Sequence, residues 1–218
     1  MYEITLICTH HSELGNCNAS ELFKAIFWAR PDIIFEEMQV AHHDFAYRVN
    51  EPTDLEITAV KRYLKNRNVL HIPVDTYPTP KGFVEDINKL TDAIEHSDTS
   101  EAKDLMNLVN EHSAIVASDG LRFLNSDEND KYMLEIDSLT EKVLIVLNDN
   151  ELFRIFKMDM QNRRDRESEI MQNIYRYSIE YPFYKAIMLI GAGHRKYIIS
   201  LINEFQEQAE LKLNWKPY

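Results

Sequence analysis

The chain has 218 residues, 44% of them hydrophobic, which is enough to bury one core without requiring a second domain. Its formal net charge of −12 at pH 7 repels phosphate backbones and argues against a nucleic-acid partner. The absence of a basic leader before an apolar run, and of any segment as long as a membrane span, sets the expectation of a soluble, cytoplasmic protein with no membrane partner.

The first apolar run, Ile4 to Cys8, reads as a buried strand, and Cys8 at its end as an inert thiol. With Cys17 it makes neither a disulfide framework nor a CxxC pair. Ser20 to Trp28 reads as a helix with Ser20 as its cap, after which Pro31 restarts the chain as strand. Ile33 to Glu36 is the second strand, completing a βαβ unit within about forty residues. AHHDF, with His42 and His43, reads as loop without metal-ligand spacing, with lining of the pocket as the alternative. The basic runs KRYLKNR (61–67) and NRRDR (162–166) read as solvated helix faces. A third strand spans Val69 to Val74.

From Phe83 to about Tyr181 the pattern is helical. FVEDINKLTDAIEH, SEAKDLMNLVNEH and SEIMQNIYRYSIEY all repeat apolar residues at three- and four-residue steps. VLIVL (143–147) is open to either helix or strand. The rings of YRYSIEYPFY (175–184) suit core packing or a dimer surface, and homo-oligomerisation stays open. Ile187 to Ile190 is a fourth strand, and AELKLNW alternates in a way that can add an edge strand. The expected fold is therefore one α/β domain over 1–218. A small, mainly parallel sheet is flanked by helices, with a large helical insertion at about 83–181 before the last core strand.

The fourth strand runs into GAGH, residues 191–194. A dinucleotide fingerprint requires GxGxxG and an acid about twenty residues later, but Lys196 stands at the third glycine position. The glycines instead allow a sharp turn and close approach of a ligand, with His194 at the carboxyl edge of the sheet. The other strands lead to that same edge. The first ends beside Thr9, His10 and His11, the second in Glu36 and Glu37, and the third in Asp75. Convergent titratable groups on such a rim form the default pattern of a functional site.

CTHH, PDIIFEE and GAGH, in this order, resemble the TraB, TIKI and erythromycin-esterase-like superfamily, which also includes the haem-binding ChaN proteins. GAGH matches its second histidine motif at His194. CTHH matches the first at His11, with Cys8 in place of a glycine. PDIIFEE is similar to the strand that ends in the family's acid, with Glu36 the better aligned. The helix NRRDRESEIMQNI is similar to the arginine-bearing segment, with Arg166 and Asn173 seven residues on; Arg163 or Arg164 substitutes if the register shifts.

The resemblance implies several activities: metal-dependent proteolysis, hydrolysis by histidine-activated water, a role in shutting down peptide pheromones, and haem binding. It points to a hydrolase acting on a peptide, amide or ester. His11, Glu36 and His194 would hold a divalent metal, Mn, Co or Zn, that activates water. Glu37 or Asp75 would take the proton or orient a ligand, and Arg166 would stabilise an oxyanion. A metal-free variant makes a histidine the base. The alternative is a non-catalytic module that sequesters a peptide, small metabolite or haem in the same cleft.

Overall fold

The computed structural model describes residues 2–49 and 54–218. Five parallel strands form one sheet in the order β3-β2-β4-β1-β5: β1 (Glu3–Thr9), β2 (Ile33–Gln39), β3 (Leu70–Asp75), β4 (Lys185–Gly191) and β5 (Asn214–Pro217). The expected α/β fold is present, with all strands parallel. β1, β2 and β4 are buried apolar runs, as expected of strands covered on both faces. The edge strand lies slightly beyond the alternating AELKLNW. The β1–β2 unit is not a closed βαβ pair, because β4 inserts between its two strands and bonds to both. Short apolar runs carry no information about which run sits beside which.

Helix α1 (Ala19–Ala29) follows β1. Its cap is Asn18 rather than Ser20: the Asn18 side chain accepts from the N–H groups of Ser20 and Glu21. Arg30 ends it in the left-handed conformation, and Pro31 prevents its resumption. AHHDF is not loop but part of α2 (Val40–Arg48). Periodicity does not reveal this helix, because it has no apolar stripe and none of its nine residues is buried. α3 (Leu55–Leu64) follows and packs on α1.

The insertion is α4 (Phe83–Glu95), α5 (Ser100–Asp119), α6 (Leu121–Leu124), α7 (Asp127–Leu147) and α8 (Asn150–Glu180). VLIVL is the last stretch of α7. Val143 and Leu144 turn inward while Ile145 and Val146 face water, a helical split. Asn148 closes α7 in the left-handed conformation, and the Asp149 carboxylate caps α8. Within the insertion a cluster around Leu105, Val143, Leu152 and Phe156 is separate from the core that wraps the sheet. The 31-residue α8 belongs to both, since its later residues Ile170, Met171 and Ile174 join the sheet core. Tyr175 and Phe183 are also in that core, whereas Tyr181 and Tyr184 are exposed.

Asn125, just after α6, pins the insertion to the sheet. Its side chain accepts from the Cys8 N–H at 2.8 Å and donates to the Cys8 carbonyl at 2.9 Å, completing the backbone pairing of a central strand. Cys8 and Cys17 are free and buried, and burial pushes the Cys8 thiol up to about 12. A 3-10 turn (Ala192–His194) and α9 (Arg195–Gln208) follow β4. Among the described residues, no helix is long and apolar enough to cross a membrane.

Candidate functional site

Because every strand is parallel, the ends of β1, β2, β3 and β4 share one edge, and a cleft of about 560 Å3 opens there. His11, Glu37, Asp75, Arg166 and His194 all line it; Glu36 does not. The two glutamates are adjacent on β2 and so point to opposite faces. Phe35 and Glu37 face α8, where the Phe35 ring meets Tyr177 edge-on and Glu37 meets Arg166. Glu36 faces α2, bonded to Tyr47.

Glu37 is the hub of the cleft. Its Oε1 accepts from Arg166 Nη2 at 2.5 Å and lies 3.3 Å from His194 Nε2, while its Oε2 accepts from the Gly191 N–H at 2.6 Å. Arg166 also donates from Nε to Asp75 Oδ2 at 2.9 Å, so one guanidinium joins the ends of two strands. The segment around it is fixed by Asn173, which donates to the Val74 carbonyl at 2.9 Å and to Thr76 Oγ1 at 2.7 Å. Arg163 instead pairs with Asp137 and Asp159, so Arg166 is the arginine that reaches the strand ends. Asp75 and Glu37 are each almost fully buried.

His194 is clamped from both sides. Its Nδ1 donates to Glu167 Oε1 at 2.5 Å, and its Nε2 faces Glu37. Burial opposes charging of the ring, but the two carboxylates outweigh it and raise its pKa to about 9. For Glu37, burial pushes the other way, yet His194, Arg166 and the Gly191 N–H hold it down at about 2. Glu167 carries no motif, but it stands three, four and seven residues before the buried Ile170, Met171 and Ile174. A carboxylate on the apolar stripe of a helix was the available signal.

GAGH does not use its two glycines alike. A Cβ on Gly191 would lie 3.0 Å from His11 Nε2 and 3.4 Å from Glu37 Oε2, so this residue lets the backbone pass close to both side chains. At Gly193 the nearest atom, Met133 Cε, would be 3.6 Å away, an ordinary contact. The close approach expected of the motif belongs to Gly191. His11 Nδ1 lies 3.3 Å from Glu56 Oε1, and this contact raises its pKa to about 9. Glu56 also receives the Thr9 hydroxyl. Of the neighbouring Asp54 and Glu56, burial and the Glu56 charge push Asp54 up, while the His11 bond helps hold Glu56 down against its own burial.

The ligand set expected for Mn, Co or Zn, namely His11, Glu36 and His194, is not assembled. Glu36 lies on the other side of the sheet, and His194 spends both ring nitrogens on Glu167 and Glu37. Among the described residues, two groups bring three ligand atoms within 4.8 Å of one another: Glu36, His43 and His71, and His11, Asp54 and Glu56. Neither contains His194, so the residues present do not fit a divalent cation between the two motif histidines.

No protein-family model, curated protein or solved structure matches the chain. The resemblance to the TraB and TIKI superfamily accordingly stands on its short motifs.

Proposed function

We propose that the protein is a hydrolase acting on a peptide, amide or ester, and that His194 is its proton-transfer group. The observation that supports this reading is the Glu167–His194–Glu37 array on the cleft wall, with Arg166 on the same Glu37 carboxylate. Glu167 fixes the tautomer by holding the proton on Nδ1. Above its raised pKa of about 9 the ring is neutral, and its Nε2, which otherwise meets Glu37 at 3.3 Å, can take a proton from water that replaces that contact against the scissile carbonyl. Glu37 then stabilises the imidazolium that forms, in the way a buried carboxylate supports a histidine base.

Arg166 directs two of its five N–H donors to Glu37 and Asp75, leaving others for the carbonyl oxygen or a substrate carboxylate. His11, cationic at neutral pH through Glu56, supplies a second positive group on the same wall. No step runs through a metal at this centre, because the motif residues do not converge on one. Phe83, Asp159, Asn162 and Arg163 bring the insertion to the other side of the cleft, so it contributes to substrate choice.

The test is turnover of p-nitrophenyl esters, aminoacyl p-nitroanilides and a peptide library, with and without chelator. Chelator-resistant turnover that falls at least 100-fold in His194→Ala is the expected result. Undiminished turnover in His194→Ala would sink the assignment. Retention of a library member without cleavage would select the sequestering module instead.

A further inference from the structure

On the opposite face of β2 from the cleft, Glu36, His43 and His71 come together from three elements: β2, α2 and β3. His71 Nδ1 lies 2.9 Å from Glu36 Oε1, His43 Nε2 lies 3.0 Å from that same His71 nitrogen, and His43 Nε2 lies 3.5 Å from Glu36 Oε1. As a hydrogen-bonded cluster this is incomplete. One N–H from His71 cannot be aligned on both Glu36 and His43, and a second proton on His43 Nε2 would set two N–H groups against each other. As a ligand set it is complete. Zinc at about 2.0–2.1 Å from each of three tetrahedral ligands separates them by about 3.3 Å, close to the three edges seen here.

The surroundings are consistent with this. Tyr47 donates to Glu36 Oε2, which leaves Oε1 directed at the two imidazoles. The side chains are 4% exposed for Glu36, 15% for His43 and 22% for His71, so the three donors meet largely out of water. α2 is the second, independent observation. It has no fully buried residue and its apolar Val40 and Phe45 face solvent, so it has no apolar stripe, and half-buried Tyr47 is its contact with the hydrophobic core. Its attachment there runs through His43 and Tyr47, the residues that meet Glu36 and His71. The rival trio is weaker in donor type: it has one exposed histidine, and its Asp54 already accepts from two backbone N–H groups as the cap of α3.

We propose that Glu36, His43 and His71 bind a divalent zinc-class cation, as a two-histidine, one-carboxylate site that clips α2 to the edge of the sheet. The site lies outside the hydrolytic centre and does not depend on it. Because His42 and Ala46 of α2 line the cleft, the cation would also fix one of its walls.

The experiment is calorimetric titration of the chelator-stripped full-length protein with Zn2+, with Co2+ absorption to report coordination and hydrogen exchange to report on α2. One equivalent of Zn2+ is expected, with four-coordinate Co2+ bands and slower exchange in α2. Affinity should fall at least 100-fold in His43→Gln and His71→Ala and about 10-fold in Tyr47→Phe, while His11→Ala and His194→Ala stay within about twofold. His43→Gln replaces a residue of a helix that has no buried residue, so it tests the site even if His71→Ala fails to fold. No uptake by the wild type would overturn the proposal, as would uptake that survives His43→Gln or disappears only in His11→Ala or His194→Ala.

Discussion

Raising the pH should weaken the fold through one identifiable residue. His194 has a pKa of about 9 in the folded chain against an ordinary value of 6.5, because Glu167 and Glu37 outweigh its burial. A raised pKa means that the folded state binds the proton more tightly than the unfolded one. The resulting stability is complete below about pH 6.5 and is lost as the pH climbs through 9. At about 1.4 kcal/mol per pH unit, that interval corresponds to roughly 3 kcal/mol, a large part of the ~5–15 kcal/mol that holds a domain together. The His194 side chain is 12% exposed, so solvent screens this contribution little. His11 is also raised, but its side chain is 58% exposed and its contribution is correspondingly small. Urea denaturation at constant ionic strength from pH 6.5 to 9.5 measures the loss. His194→Gln, which cannot titrate, should flatten the profile, and Glu167→Gln should reduce its slope. A wild-type profile that is flat, or one that Glu167→Gln leaves parallel, would refute the reasoning.

Two further substitutions test the geometry of the sheet edge. Gly191→Ala places a methyl group against His11 and Glu37, and should cost about 1–3 kcal/mol in chemical denaturation. Gly193→Ala meets only Met133 at contact distance and should be neutral or stabilising by up to ~1 kcal/mol, because the glycine holds no positive φ. Asn125→Leu removes the partners of both backbone groups of Cys8, and orphaned buried groups cost about 1–3 kcal/mol each. A lowered urea midpoint with an unchanged m-value is the expected outcome there, and no change would show that water replaces the side chain.

Much of the fold was legible because buried parallel strands announce themselves as short apolar runs between polar punctuation. Four of them, and the helical character of the insertion, could be located without coordinates. Strand order could not, since nothing in Ile187–Ile190 says that it enters between β1 and β2. The same division holds at the cleft. His11, Asp75 and His194 stand at the ends of their strands, and Glu37 with them, whereas Arg166, in the middle of α8, is reached only through the resemblance. What the sequence withholds is which of two adjacent glutamates faces which side, because period-two alternation fixes their opposition but not its sense. α2 has no apolar stripe and meets the sheet mainly through His43 and Tyr47, so periodicity does not reveal it, and Glu167 is hidden because a carboxylate on an apolar stripe reads as a flaw in the stripe.

The place of β4 also sets the order in which the chain can become a protein. As synthesis proceeds, β1, β2 and β3 emerge first, but β1 and β2 lack the strand that bonds to both until β4 arrives more than a hundred residues later. At ribosomal rates of about 5–20 residues per second, that leaves two apolar strand edges unpartnered for on the order of 10 s. The insertion has its own apolar cluster and can begin to collapse during this wait. Closure of the sheet, and assembly of a cleft whose histidine follows β4, must wait until β4 has been made.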